Sequence, residues 1–258
     1  MYITNLDNKN IIITGASKGL GSVCAKALAE HGAKLVLMAR SEEKLERLRA
    51  SLHHPQKHLG ISLDLTDVGQ IQQGINKAKE FLGDINVILH VAGGGLGLRD
   101  PLLGSDDFLR LFALNLLAAA EINRIIIPDM IKRRSGNIVH VASIAAGEAT
   151  ASVGYNTVKA SLAAYVRSLG REIVGSGLVA TGILPGGFYA PDNSWERLGT
   201  QKPEIVKQFI AERLPRKFLG KAEELIPMIL LLCSDNASMM GGCLVPMDAG
   251  EGRTYITT

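Results

Sequence analysis

Cysteine is scarce in this chain: Cys24, Cys233 and Cys243 are the only three among 258 residues. An odd number at wide spacing, without a CxxC pair, encodes neither a disulfide framework nor a zinc site. A reducing, cytoplasmic setting is therefore expected, and no metal. Aromatic residues make up only 5% of a chain that is 47% hydrophobic, so Ile, Leu, Val and Ala must fill the core. An excess of one charge is also missing, since 28 Lys and Arg against 25 Asp and Glu leave a net +3. Scattered charge without an aromatic-basic patch disfavours disorder and nucleic-acid binding. The longest apolar runs, such as 226–233, fall well short of the ~18 residues of a membrane span, and the amino terminus shows no basic-then-apolar leader. Neither a membrane partner nor export is expected. Repeats, low-complexity tracts and Pro/Gly/Ser linkers are absent too, so residues 1–258 are read as one domain, long enough to need no staple.

What the chain does have is alternation. Short β-branched runs at 10–14, 34–38, 60–63, 86–91, 136–142, 178–184 and 243–247 are separated by stretches with helical spacing at 19–31, 42–52, 68–82, 106–133, 155–174 and 222–232. This pattern predicts an α/β fold with a seven-stranded, mostly parallel sheet covered by helices on both faces. Ser41 is placed to cap the second helix, with Glu42 and Glu43 against the positive end of its dipole. Residues 186–219 break the alternation, apart from a short helical stretch near 204–214. A connection this long at a strand end reads as a binding loop or lid, so 187–219 is expected to shape a substrate site.

The first strand runs into Thr14-Gly15-Ala16-Ser17-Lys18-Gly19-Leu20-Gly21 and then a helix. Glycines let the backbone turn tightly and approach a pyrophosphate, which the helix N-terminus favours. The second strand ends Met38-Ala39-Arg40-Ser41, with no carboxylate to grip the two ribose hydroxyls of NAD. Arg40 is either a solvated cation or a partner for a ribose 2′-phosphate, with Lys18 as a second cation. NADP(H) is therefore preferred over NAD(H).

Further along, Tyr155-Asn156-Thr157-Val158-Lys159 sets a phenol and an ammonium one helical turn apart, on the same face. A tyrosine titrates near pH 10, and a neighbouring cation is one way to bring it into range for acid-base work. Ser143, twelve residues upstream at a strand end, is placed to donate to a substrate carbonyl oxygen.

With these motifs the sequence resembles the classical short-chain dehydrogenase/reductase family over nearly its whole length. The shared features are the Thr14 to Gly21 turn, Asp64-Leu65, Ala92-Gly93, Asn115, Ser143, Tyr155/Lys159, Pro185-Gly186, Leu232-Cys233-Ser234-Asp235 and Met247-Asp248-Ala249-Gly250. The resemblance implies a single Rossmann-like doubly wound domain and an NADP(H)-dependent oxidoreductase interconverting a carbonyl and a secondary alcohol. Tyr155 would be the general acid/base, Lys159 would lower its pKa and contact the nicotinamide ribose, Ser143 would orient the carbonyl, and Asn115 would support a relay water. The cofactor would lie against Gly15, Ser17, Lys18, Gly19, Leu20 and Gly21, with Arg40, Asp64 and Leu65 around the adenosine. His90, Ala92 and Gly93 would border it centrally, and Pro185, Gly186 and Phe188 would lie near the nicotinamide. The family also implies a homotetramer, or a dimer, built on the long helices.

Three motifs depart from the family pattern. Asn-Asn-Ala-Gly becomes His90-Val91-Ala92-Gly93, and His90 reads as a satisfied core histidine. The threonine expected after Pro185-Gly186 is missing, and Thr181 replaces a frequent asparagine. Lys132, Arg133 and Arg134 would suit docking of an acidic carrier protein, although Ser176 stands where a further basic residue is expected. Trp195 in the long loop either faces substrate or anchors packing. The rival to an enzyme is a non-catalytic dinucleotide-binding regulator or scaffold on the same fold.

Overall fold

The computed structural model describes residues 6–254. Seven strands form one sheet: β1 (Asn10–Thr14), β2 (Lys34–Ala39), β3 (Leu59–Ser62), β4 (Val87–His90), β5 (Gly136–Val141), β6 (Leu178–Pro185) and β9 (Leu244–Met247). Their order is β3-β2-β1-β4-β5-β6-β9. Every pair is parallel, in keeping with the expected mostly parallel seven-stranded sheet.

Side chains alternate across the sheet, and both sets are buried. Ile11, Ile13, Leu35, Leu37, Val87 and Leu89 pack on one face with Leu20, Cys24 and Leu28 of α1 (Gly19–Glu30) and Ile229 of α9 (Ile226–Leu232). Ile12, Val36, Ile88 and Ile138 pack on the other with Ile71 and Ile75 of α3 (Val68–Leu82) and Ile122, Ile126 and Met130 of α5 (Ala118–Arg133). Burial on both faces is why the strands read as continuous apolar runs. Each such side chain contributes roughly 1.5–3 kcal/mol. The predicted cap forms: the Ser41 hydroxyl accepts from the Lys44 amide at 3.3 Å at the start of α2 (Glu42–Ala50).

The expected helix over 106–133 is interrupted. After α4 (Ser105–Phe112) the chain widens into a π turn at Ala113–Leu117 before α5. Ser105–Arg133 as a whole is long and apolar enough by composition to cross a membrane, yet Leu111, Ile122, Ile126 and Met130 are buried inside the fold.

The long connection after β6 is richer than expected. It holds the short strands β7 (Phe188–Tyr189) and β8 (Gly220–Lys221), and two helices rather than one, α7 (Ser194–Gln201) and α8 (Pro203–Arg213). Asn193 caps α7, its side-chain oxygen accepting from the Glu196 amide at 2.8 Å. Helix α7 has too few apolar residues to show a period. Trp195 lies 4.3 Å from the Phe209 ring, centroid to centroid, and these side chains with Leu198, Val206, Leu214 and Leu219 give the segment its own small core. Trp195 is thus the packing anchor.

Strand order reverses between β1 and β4: β2 and β3 lie to one side, β5, β6 and β9 to the other. In an open α/β sheet the crevice at the carboxyl ends beside such a reversal is where ligands bind. Every predicted site residue falls at this end of the sheet or on a helix beside it.

Candidate active site

The β1–α1 turn is built around close backbone approach. Gly15 has φ +68°, and a Cβ there would lie 2.8 Å from the Ala92 backbone at the end of β4. A Cβ on Gly21 would lie 2.3 Å from the Gly15 carbonyl oxygen. No side chain caps the start of α1, and a helix start of this kind favours an anion. The Gly19 amide donates to the Pro191 carbonyl at 2.6 Å. Ser17 and Lys18 stand on the outer side of the turn, and the Leu20 side chain is in the core. A glycine cradle over an uncapped helix start fits the pyrophosphate of a dinucleotide.

Arg40 is exposed at the end of β2. It acts electrostatically on Lys18 and on Asp64, whose carboxyl is held below its ordinary value chiefly by bonds from the Thr66 amide and hydroxyl. Leu65 is buried beside it. At the next strand end, the Ala92 amide donates to the Thr14 hydroxyl at 3.3 Å, and Gly93 leaves room for Asn115 and Lys159 behind it.

The four expected catalytic side chains converge. Ser143 follows β5 and caps the short 3-10 turn Ile144–Ala146. Tyr155 and Lys159 lie in the first turns of α6 (Val153–Ile173), with the Lys159 Nζ 5.6 Å from the Tyr155 ring centroid. The Ser143 side chain lies beside the Tyr155 phenol and draws its pKa down, while its hydroxyl accepts from the Ala145 amide at 3.2 Å. Lys159 is buried and donates to the Val141 carbonyl at 3.0 Å. Asn115 sits inside the π turn, its side chain accepting from the Gly94 amide at 2.9 Å and donating to the Gly94 and Leu111 carbonyls at 3.0 and 2.9 Å.

The electrostatics differ from expectation at one point. Burial pushes the Tyr155 phenol above its ordinary value, and the group that pulls it back is Ser143 rather than Lys159. Burial also lowers Lys159 to about 8, so at pH 7 it is still mostly an ammonium.

The His90 side chain is the satisfied core histidine that the sequence reading favours, turned into the core although the position is also expected to border the cofactor. Its Nε2 donates to Asn123 at 2.9 Å, and its ring stacks on His140 with centroids 4.7 Å apart. Asn123 in turn donates to the Tyr165 hydroxyl at 3.0 Å. His140 Nδ1 donates to the Thr181 carbonyl at 3.3 Å, leaving Nε2 without a protein partner. Both rings border a cavity of about 10 Å³ with Thr14 and Asn115, room for one water. Burial lowers His90 to about 4 and His140 well below the ordinary histidine value. His140 was legible only as a polar residue in an apolar strand.

Pro185 ends β6, and Gly186 and Phe188 follow at the mouth of the crevice. In place of a threonine side chain, the Gly187 amide is held by Glu251, whose Oε2 accepts from it at 2.6 Å. Glu251 is buried, and burial raises its carboxyl above the ordinary value. Of the basic trio, Lys132 pairs with Asp129 and Arg133 with Asp84, while Arg134 takes φ +54° to end α5.

The short chain dehydrogenase family model matches residues 9–198. The chain is 28% identical over 250 residues to the 3-oxoacyl-[acyl-carrier-protein] reductase FabG of Thermotoga maritima, covering 95% of this chain and 98% of that one. It is 33% identical over 187 residues to the ketoacyl reductase HetN of a Nostoc strain, covering 71% of this chain but only 65% of that protein's length. Among solved structures, L-sorbose reductase from Gluconobacter frateurii, complexed with NADPH and L-sorbose, superposes with a TM-score of 0.89 at 25% identity, covering 98% of this chain and 99% of that one. Levodione reductase superposes with a TM-score of 0.87 at 26% identity, over 95% and 98% of the two chains. With the reversal-point crevice, the glycine cradle and the Ser143, Tyr155 and Lys159 cluster already in place, these similarities identify the chain as a member of the short-chain dehydrogenase/reductase family and a nicotinamide-dependent oxidoreductase.

Proposed function

We propose that the protein is an NADP(H)-dependent oxidoreductase that reduces a small-molecule ketone to a secondary alcohol, or runs the reverse, with Tyr155 as general acid/base. The observation that carries this reading is the convergence of Ser143, Tyr155 and Lys159 at the crevice, with the Lys159 Nζ 5.6 Å from the Tyr155 ring centroid and Ser143 close enough to shift the phenol. A bound nicotinamide would supply or accept the hydride. Ser143 donates to the substrate carbonyl oxygen and polarises it. Tyr155 donates its phenolic proton to the same oxygen as negative charge develops there, and takes it back in the oxidative direction. A phenol above its ordinary value is protonated at neutral pH, which suits donation. Lys159 holds the ribose side of the cofactor and supplies positive charge behind the phenol. Asn115 supports the backbone of Gly94 at the crevice wall, and with it the relay water that the family resemblance implies.

Preference for NADP(H) rests on Arg40 and Lys18 and on the absence of a carboxylate at the end of β2. It accords with L-sorbose reductase having been solved with NADPH. Residues 187–219 form the substrate loop of a single domain. We further infer a homotetramer or dimer and a cytoplasmic location. The test is a screen of ketones, sugars and 3-oxoacyl substrates with NADPH and NADH, followed by absorbance of the reduced nicotinamide. Turnover with NADPH well above that with NADH supports the reading. Dinucleotide binding without any turnover would favour a regulator or scaffold.

A further inference from the structure

The substrate loop reaches back onto the dinucleotide turn. Pro191 accepts the Gly19 amide, the first donor of α1, at 2.6 Å. One residue on, Asp192 pairs with Lys44 of α2 at 2.8 Å. Asp192 adopts φ +60°, and its amide is held by Glu196 at 2.7 Å while its carbonyl accepts from Arg197 of α7. Around Lys18, the charged groups that act on it are Arg197, Lys44 and Arg40, all cations, and a single carboxylate, Asp192. Asp64 faces Arg40 from β3's side. Four cations thus gather on the adenosine side of the crevice, from the turn, β2, α2 and the loop, and one loop carboxylate sits among them.

Such a cluster suits a ligand carrying more negative charge than one carboxylate, and an NADP phosphate is a dianion near neutral pH. We propose that Lys44 and Arg197 join Lys18 and Arg40 in binding the adenosine-side phosphates of NADP(H), and that Asp192 and the Pro191 carbonyl occupy those partners until the cofactor displaces them. This deepens, and rests on, the NADP(H) reading above. The loop that shapes the substrate site would thereby sense whether cofactor is bound. Lys44 exchanges Asp192 for the 2′-phosphate, Arg197 loses its carbonyl partner to a phosphate, and the Gly19 amide is freed for the pyrophosphate.

The test uses ligands that need no turnover. Calorimetric titrations of 2′,5′-ADP and 5′-AMP into the wild-type protein, Asp192→Asn, Lys44→Ala and Arg197→Ala separate the claims. Asp192→Asn should bind 2′,5′-ADP about threefold more tightly, the scale of one exposed ion pair. Lys44→Ala should bind it roughly fivefold more weakly with little change for 5′-AMP, and Arg197→Ala should weaken both. All three sites are at the surface, and unchanged circular dichroism would show that the fold is kept. If the wild type prefers 2′,5′-ADP but the variants leave that preference and its strength unaltered, the assignment of Lys44, Arg197 and Asp192 is wrong while the NADP(H) reading stands. If the wild type binds 2′,5′-ADP no better than 5′-AMP, the NADP(H) reading fails and this inference with it.

Discussion

Burial acts in opposite directions on the pKa of Tyr155 and of Lys159 because it favours the neutral form of each. It keeps the phenol protonated and brings the ammonium to about 8, close enough to neutrality that its charge is conditional. On the proposed roles, Tyr155→Phe keeps the ring's packing and removes only the transferable proton. Turnover should fall at least ~100-fold with NADPH affinity almost unchanged, read by steady-state kinetics and fluorescence titration. Lys159 gives a pH signature instead. Cofactor affinity should decline as pH rises through about 8, where the ammonium loses its proton, and Lys159→Ala should abolish that decline along with much of the binding. A pH-independent Kd between pH 7 and 9 would remove Lys159 from the cofactor site. At this scale, Tyr155, Lys159 and Ser143 were readable because their order and spacing along the chain are local facts. Glu251 and His140 were not, since each matters through a neighbour from a different strand or loop: Gly187 lies 64 residues from Glu251, and Thr181 lies 41 from His140.

Helical periodicity alone describes 106–133 as one helix, because every apolar position fits. The π turn at Ala113–Leu117 appears only when Asn115 is seen to bond the Gly94 backbone, a contact that draws the helix toward β4's end. Asn115→Ala would leave the Gly94 amide and two carbonyls without these partners in a buried setting, at a cost of about 3 kcal/mol. The expected result is a thermal midpoint lower by roughly 5–10 °C, with turnover reduced as well. An unchanged midpoint would mean that the π turn is held by something other than this side chain. The β1–α1 turn is the contrasting case, fully legible from its glycines. Gly21→Ala places a methyl 2.3 Å from a carbonyl oxygen and should weaken dinucleotide binding at least ~10-fold, whereas Gly147→Ala, with nothing within 4 Å, should be silent.

For the molecule as a whole, acid stability follows from the stacked histidines. His90 is lowered to about 4 and His140 also lies well below its ordinary value, so between about pH 6.5 and 4 the unfolded chain binds more protons than the native one. Stability therefore falls as pH falls through that window, by roughly 3 kcal/mol for His90 alone, and denaturant titrations at pH 7 and pH 4.5 should show it. Replacing both histidines by Asn should flatten that part of the profile. The proposed assembly is supported by the surface: Leu109, Leu117 and Val153 are 63%, 53% and 49% exposed on neighbouring helical segments, an apolar area suited to burial by another subunit. Light scattering at micromolar concentration should report a dimer or tetramer, and a monomer would refute the inferred assembly.

The sequence by itself determined the strand and helix succession, the glycine turn and the Ser143, Tyr155 and Lys159 set, because backbone sterics and side-chain periodicity act over a few residues. It also carried the two-faced burial of the sheet, written in unbroken apolar strands such as Ile11, Ile12 and Ile13. Tertiary structure alone decided what those residues meet. It set which way each titratable group shifts, stacked His90 on His140, and brought Pro191 onto Gly19 and Asp192 onto Lys44 across 148 positions of chain. Desolvation and long-range pairing depend on what surrounds a side chain in space, and that is settled only when the sheet, its helices and the loop after β6 have packed.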